Sequence, residues 1–191
     1  MKRKIMGLVF IGTLVMLGFV LMPSVLSGQE TFTATATVEA GGKSAAEPVK
    51  IVINRFLTDA ERMSVLEALK AGGTTAAKQV LDKLEDIGTI EVLGRSTPIK
   101  FAYPRSMGPG GGRIITVVTA QPVHYLKVGQ TGDKPKEDYP VAVALLIVDS
   151  EDKGDGEIAP AAKIKLDASN AIVIDDYGIA KVWLKNVAKA K

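Results

Sequence analysis

The sequence predicts an α+β fold that is mainly β: an antiparallel sandwich or curled sheet of about eight to ten strands with one inserted αα-hairpin. Three observations predict it. Apolar and polar residues alternate through most of the chain, residues 58–88 alone switch to helical spacing, and glycine, proline and charged turns punctuate the rest at short intervals.

The chain opens on Lys2, Arg3 and Lys4, then an apolar stretch over residues 5–22, then Val25-Leu26-Ser27-Gly28. A positive start, a membrane-compatible stretch and a small-residue segment make an export signal. As a helix, residues 5–22 would rise about 27 Å, just short of a bilayer core of about 30 Å. Two outcomes therefore stand: residues 1–27 are a cleaved signal peptide, or they are a retained N-terminal membrane anchor. Pro23 breaks the helix, and Val25 and Ser27 suit a signal peptidase, which favours cleavage. Residues 28–191 then form one domain in the periplasm or outside the cell. With a retained anchor the domain would sit on the inner membrane, facing outward.

Composition narrows the function. The chain has 24 basic and 21 acidic side chains and a net charge of +3, but residues 1–27 hold three basic residues and no acidic one. The remainder is balanced, so no long-range field attracts nucleic acid, and Lys185, Lys189 and Lys191 read as a solvated end. There is no cysteine and one histidine, His124. A lipid-modified cysteine, disulfides, iron–sulfur clusters and thiol chemistry are excluded, as is a His-rich metal site.

The elements follow in order. Residues 31–38 alternate strictly, with Phe32, Ala34, Ala36 and Val38 on one face and threonines on the other, and Val49, Ile51 and Ile53 repeat that period. Thr58-Asp59-Ala60-Glu61 is a capping box opening a helix through Met63, Leu66 and Leu69, expected to stop at Gly72-Gly73. A second helix carries Ala77, Val80, Leu81, Leu84 and Ile87 on one stripe and closes at Gly88, completing the expected hairpin over 58–88. Strands resume at Ile90 and Val92, at Ile99, Phe101 and Tyr103, at 113–119 and at 123–128. The most apolar run, 141–148, reads as a central strand. Ala162, Ile164 and Leu166, then 171–174 and 179–187, finish the sheet.

The strongest candidate site is the acidic turn around Asp149, Glu151, Asp152, Asp155 and Glu157. Calcium takes six to eight oxygens, and close carboxylates on a glycine turn can supply them. Asp149, Glu151 and Gly154 match positions 1, 3 and 6 of a calcium loop, but Lys153 and Pro160 stand where oxygen ligands belong. A charged hairpin turn is the competing reading. Met107-Gly108-Pro109-Gly110-Gly111-Gly112 offers exposed amides but lacks the lysine and following helix of a phosphate loop. His124 is the one ordinary general base, without a Gly-x-Ser-x-Gly elbow beside it. Ser96 and Lys100 are one position too far apart for Ser-x-x-Lys. Asp175 and Asp176 are strand neighbours that point to opposite faces. Trp183 stands opposite in parity to Val182 and Leu184, facing a second layer or solvent.

The chain resembles small uncharacterised exported proteins of soil bacteria, through Thr58-Asp59-Ala60-Glu61-Arg62, Ile87-Gly88-Thr89-Ile90 and Gly154-Asp155-Gly156-Glu157. The resemblance implies no activity and no functional residue. The residues point first to a non-catalytic binding or structural module of the cell envelope, whose partner is a protein, an envelope polymer or a small apolar ligand. A hydrolase using dispersed carboxylates or His124 is the alternative, and a self-assembling homo-oligomeric subunit with an open edge at 31–38 is a third reading. Cleavage after Ser27, or after Gly28, predicts that the exported protein has Gly28 or Gln29 as its first residue by intact mass; a mass retaining residues 5–22 would establish the anchor.

Overall fold

The computed structural model describes residues 28–40, 43–123 and 138–191. In chain order its elements are β1 (Glu30–Ala40), β2 (Lys43–Ile53), α1 (Asp59–Leu81), β3 (Gly88–Val92), β4 (Arg95–Ile99), β5 (Phe101–Ser106), β6 (Arg113–Thr119), β7 (Val141–Val148), β8 (Lys153–Leu166), β9 (Ile172–Tyr177) and β10 (Val182–Lys189). The proposed export signal, the strand expected at 123–128 beyond Val123 with its His124, and the loop expected at 129–138 up to residue 137 lie outside the described residues.

The sandwich is overturned: the sheet curls until it nearly closes on itself. Nine strands follow one another in the order β4-β3-β2-β1-β10-β8-β7-β6-β5, all antiparallel, and β9 branches from β8. The two ends of that path, β4 and β5, are consecutive in sequence, separated only by Lys100. One extended segment therefore pairs with β3 through its first half and with β6 through its second. The Lys100 amide donates to Val118 O at 3.0 Å across the seam, and the Leu57 amide donates to Ala102 O at 3.0 Å. The result is a nearly closed barrel. Register shifts in the β1–β10, β10–β8, β7–β8 and β8–β9 pairings supply the bends that closure demands.

Alternation then assigns the faces. One inward row runs Ala36, Leu184, Gly156, Leu146, Ile115, Pro104 across six strands, and its large side chains are fully buried. Gly156 sits between two leucines because nothing larger fits: a Cβ there would strike the carbonyl oxygen of Leu145. The neighbouring outward row, Phe101–Val118–Val143–Ala159, is buried as well. Residues 141–144 are thus covered on both faces, which accounts for their unbroken apolar run.

The cover over this part of the wall is α1, which packs against β8 and β5 and brings Val65, Leu66, Leu69, Ala77 and Leu81 into the same core. The αα-hairpin is also overturned: α1 is a single 23-residue helix, kinked at Gly72 and Gly73. Gly72 and Gly73 both leave helical backbone geometry, and Gly73, at φ +66° and ψ −159°, adopts a conformation open essentially to glycine alone, so the pair interrupts the helical path and bends α1 into two halves. Beyond the kink, Thr74 Oγ1 accepts from the Ile164 amide (2.8 Å) and donates to Ile164 O (3.1 Å). That hydroxyl satisfies backbone groups beside the β8 bulge and pins the second half of the helix to the barrel.

The start of α1 is fixed by charge. Thr58 Oγ1 accepts from the Glu61 amide, and the Glu61 carboxylate in turn accepts from the Thr58 amide at 2.8 Å. Arg55 grips both oxygens of the same carboxylate at 2.9 and 2.8 Å. Led by the Arg55 hydrogen bonds, these contacts push the Glu61 carboxyl down to about 2. A lowered carboxyl stabilises the fold above its unfolded value and loses that contribution as pH falls through its folded value. Glu61→Gln should cost about 1 kcal/mol at pH 7, allowing for solvent screening of a partly exposed pair. The gap from wild type in urea melts should narrow below pH 4.5 and close near pH 2. A gap independent of pH would assign the cost to packing instead.

Candidate functional site

The acidic turn joins β7 to β8, and its carboxylates are spent on partners within the turn and on distant cations. Asp149 Oδ1 accepts the amides of Glu151 and Lys153 at 2.8 and 3.0 Å, which holds its carboxyl below the usual range. Glu151 pairs with Lys153, Asp155 with Lys185 and Glu157 with Lys181. Asp152, with φ +59°, turns back over the barrel end to Arg113 and Lys189. Alternation on β8 places Asp155 and Glu157 on the outer wall, away from Asp152. Among the described residues no three or more His, Asp or Glu side chains group as metal ligands.

Arg113 is lumen-facing, in parity with Ile115, and it closes one end of the barrel. Its guanidinium donates to Asp152 Oδ1 at 2.8 Å and to Glu30 Oε1 at 3.2 Å, with the Phe32 ring 5.8 Å away. Lys189 completes the square, 2.9 Å from Glu30. Burial works to lower the Arg113 guanidinium, but the two carboxylates outweigh it and raise it. Glu30 Oε2 lies 3.0 Å from Arg113 Nη2 yet makes no hydrogen bond, so charge alone holds that oxygen. The quartet therefore ties β1, β6, β10 and the β7–β8 turn together. It also takes Arg113 away from the neighbouring glycine loop, which folds as a closed hairpin with the Met107 amide on Gly112 O.

The other sequence candidates are dispersed. Asp175 pairs with Lys165, while Asp176 accepts from the Tyr139 hydroxyl at 2.6 Å. Lys100 donates to Leu84 O and pairs with Asp86, leaving Ser96 exposed at the far end of β4. Residues 31–38 are bonded on both sides, by β2 and β10, and present no open edge.

Two surface features emerge that sequence reading treats faintly or misses. The first is the outer wall around Trp183. Its row runs Thr37, Trp183, Glu157, Leu145, Thr116, Tyr103. The indole is 48% exposed, with Lys181 Nζ 4.5 Å and Lys185 Nζ 5.9 Å from its ring. Both ammoniums are answered by carboxylates, and Glu157 holds the Lys181 group above its usual value. Ile147 is equally bare, on the adjacent row beside Asp155. The wall is thus an apolar and aromatic surface studded with neutralised ion pairs.

The second is a small cleft between the first turns of α1, the β5 wall and the β8–β9 turn, bearing Arg62, Tyr103, Arg105, Ser169 and Asn170. Arg62 and Asn170 are 108 positions apart, so no local motif announces it. No protein-family model, curated protein or solved structure matches the chain.

Removal of the central cation of the quartet is the sharpest test of the barrel end. Arg113→Met should destabilise the protein by about 2–4 kcal/mol, because it strands two partly buried carboxylates, whereas Lys189→Met should cost about 1. Equal costs in urea denaturation would remove Arg113 from its central role.

Proposed function

We propose that the protein is a non-catalytic binding module of the cell envelope that engages its partner through the outer wall around Trp183. The observation that carries this reading is the half-exposed indole of Trp183, set between two lysines whose charges are already satisfied. Tryptophan and tyrosine dominate binding hot spots because they offer large, stiff, amphipathic area at little entropic cost. Lysines already paired with Asp155 and Glu157 offer no surplus charge to a phosphate backbone. They suit a protein or envelope polymer with its own mixed polar and apolar surface better than nucleic acid. Tyr177 extends the surface, donating to Glu157 at 3.0 Å with Lys181 Nζ 5.4 Å from its ring.

Trp183 is the only tryptophan, so its fluorescence reports the proposed contact directly. Purified cell-envelope fragments should shift its emission to the blue and shield it from acrylamide. Trp183→Ala should abolish co-sedimentation with those fragments while moving stability by less than about 1 kcal/mol. Co-sedimentation that survives the substitution would remove this wall from the binding surface.

A further inference from the structure

The cleft beside Tyr103 stands four strands away from Trp183, about 19 Å around the wall at the usual strand spacing, and it is a separate site. Its arginines differ from the others described above. Arg55 and Arg113 each hold a carboxylate at 2.8 Å. The Arg62 guanidinium carbon sits over the Tyr103 ring, 4.5 Å from its centroid, and the one hydrogen bond of Arg62, to Asn170 O, is long at 3.4 Å. No ion pair engages Arg62 among the described residues. Arg105 donates to Ser169 Oγ at 2.9 Å and stands 3.7 Å from Asp167. That carboxylate is already committed, since Asp167 Oδ1 accepts from Ser169 N, Ser169 Oγ and Ala171 N at 2.7–2.9 Å. Two guanidiniums from different elements thus line one cleft with much of their donor capacity unspent, and an arginine fork is shaped for a planar anion.

We propose that this cleft binds the carboxylate of a small apolar monocarboxylic acid. Three features select that class. The cleft has a volume of about 40 Å³, room for about three waters, hence for a carboxylate and the carbon that bears it. Its floor is apolar, formed by the buried side chains of Leu66, Phe101 and Ile172. Finally, Asp59 stands 3.5 Å from the Tyr103 hydroxyl and Asp167 beside Arg105. These two carboxylates reduce the positive field that a bound anion meets, which penalises a dianion more than a monoanion. A phosphate dianion fits worse on charge and on the apolar floor.

The test is a calorimetric or NMR titration of the exported protein with hexanoate, its neutral isostere hexanamide, and inorganic phosphate at matched ionic strength. Hexanoate should saturate with a Kd of about 1–10 mM, a range suited to so few ligand atoms in contact. Arg62→Gln and Arg105→Gln should each weaken it at least about tenfold, the loss of one charge-assisted contact. Arg62→Lys, which keeps the charge but not the fork, should retain part of the affinity, and unchanged melting temperatures identify folded variants. Trp183→Ala should leave the titration unaltered, which separates this site from the wall proposed above. Failure of hexanoate to saturate overturns the proposal, as does equal binding of hexanamide, phosphate binding as tight as hexanoate, or full affinity in either glutamine variant.

Discussion

At Lys100 a single extended segment stops bonding to β3 and starts bonding to β6, and the rest of the molecule is arranged around that exchange. A sheet of nine strands ordinarily has two edges, each a row of unpaired amides and carbonyls. Here the edges are two halves of residues 95–106, so closing the sheet costs almost no loop entropy: the chain is already there. Closure defines an inside, and the inside must be filled. Phe32, Ile115, Leu146 and Leu184 do so, with Gly156 leaving the space that two facing leucines occupy. Because the lumen takes one face of every strand, whatever else the protein offers must be carried on the outer wall or at the barrel ends.

The outer wall is divided between two duties. On the row from Phe101 to Ala159 it is apolar and carries α1, which hides it. On the row from Thr37 to Tyr103 and at Ile147 beside it the wall remains open, with Lys181 and Lys185 answered by Glu157 and Asp155. The cleft forms at the border, where the covering helix begins and its first turns meet β5 and the β8–β9 turn above the buried Leu66, Phe101 and Ile172. The Arg55–Glu61 grip and the Thr58 cap determine where that border falls. A shift of the helix start by one residue would carry Arg62 off the Tyr103 ring. The Arg113 quartet performs the corresponding service at the barrel end, where side chains too polar for the lumen meet one another instead of water.

What could be read from the chain was whatever local physics controls. Strict alternation at 31–38 gives a strand because a residue's neighbours alone decide the pleat, and Thr58 with Glu61 forms its reciprocal cap because both partners lie within one turn. Closure was not legible. Alternation runs through Lys100 without interruption, and nothing near residue 100 records that the bonding partner changes there. Gly72-Gly73 reads as a helix end because glycine is the usual terminator. Whether the helix ends there or resumes beyond a kink depends on Thr74 finding Ile164, 90 positions later. The site was hidden for the same reason. Arg62, Arg105 and Asn170 are unremarkable apart, and of the charges that did stand out, Asp149 and Glu151 are satisfied within the turn while Asp152, Asp155 and Glu157 meet cations from distant positions.

Native-state hydrogen exchange at the seam tests the closed barrel most directly. The Lys100 amide bonds to Val118 O, and the Ile87 amide bonds to Ile99 O at 2.9 Å, each on a different side of the exchange point. In a closed wall both amides should be released only by global unfolding, with the same denaturant dependence as Leu146 at the barrel centre. Exchange of either amide at rates typical of an open sheet edge, while Leu146 stays protected, would contradict the closed barrel and with it the division of the outer wall.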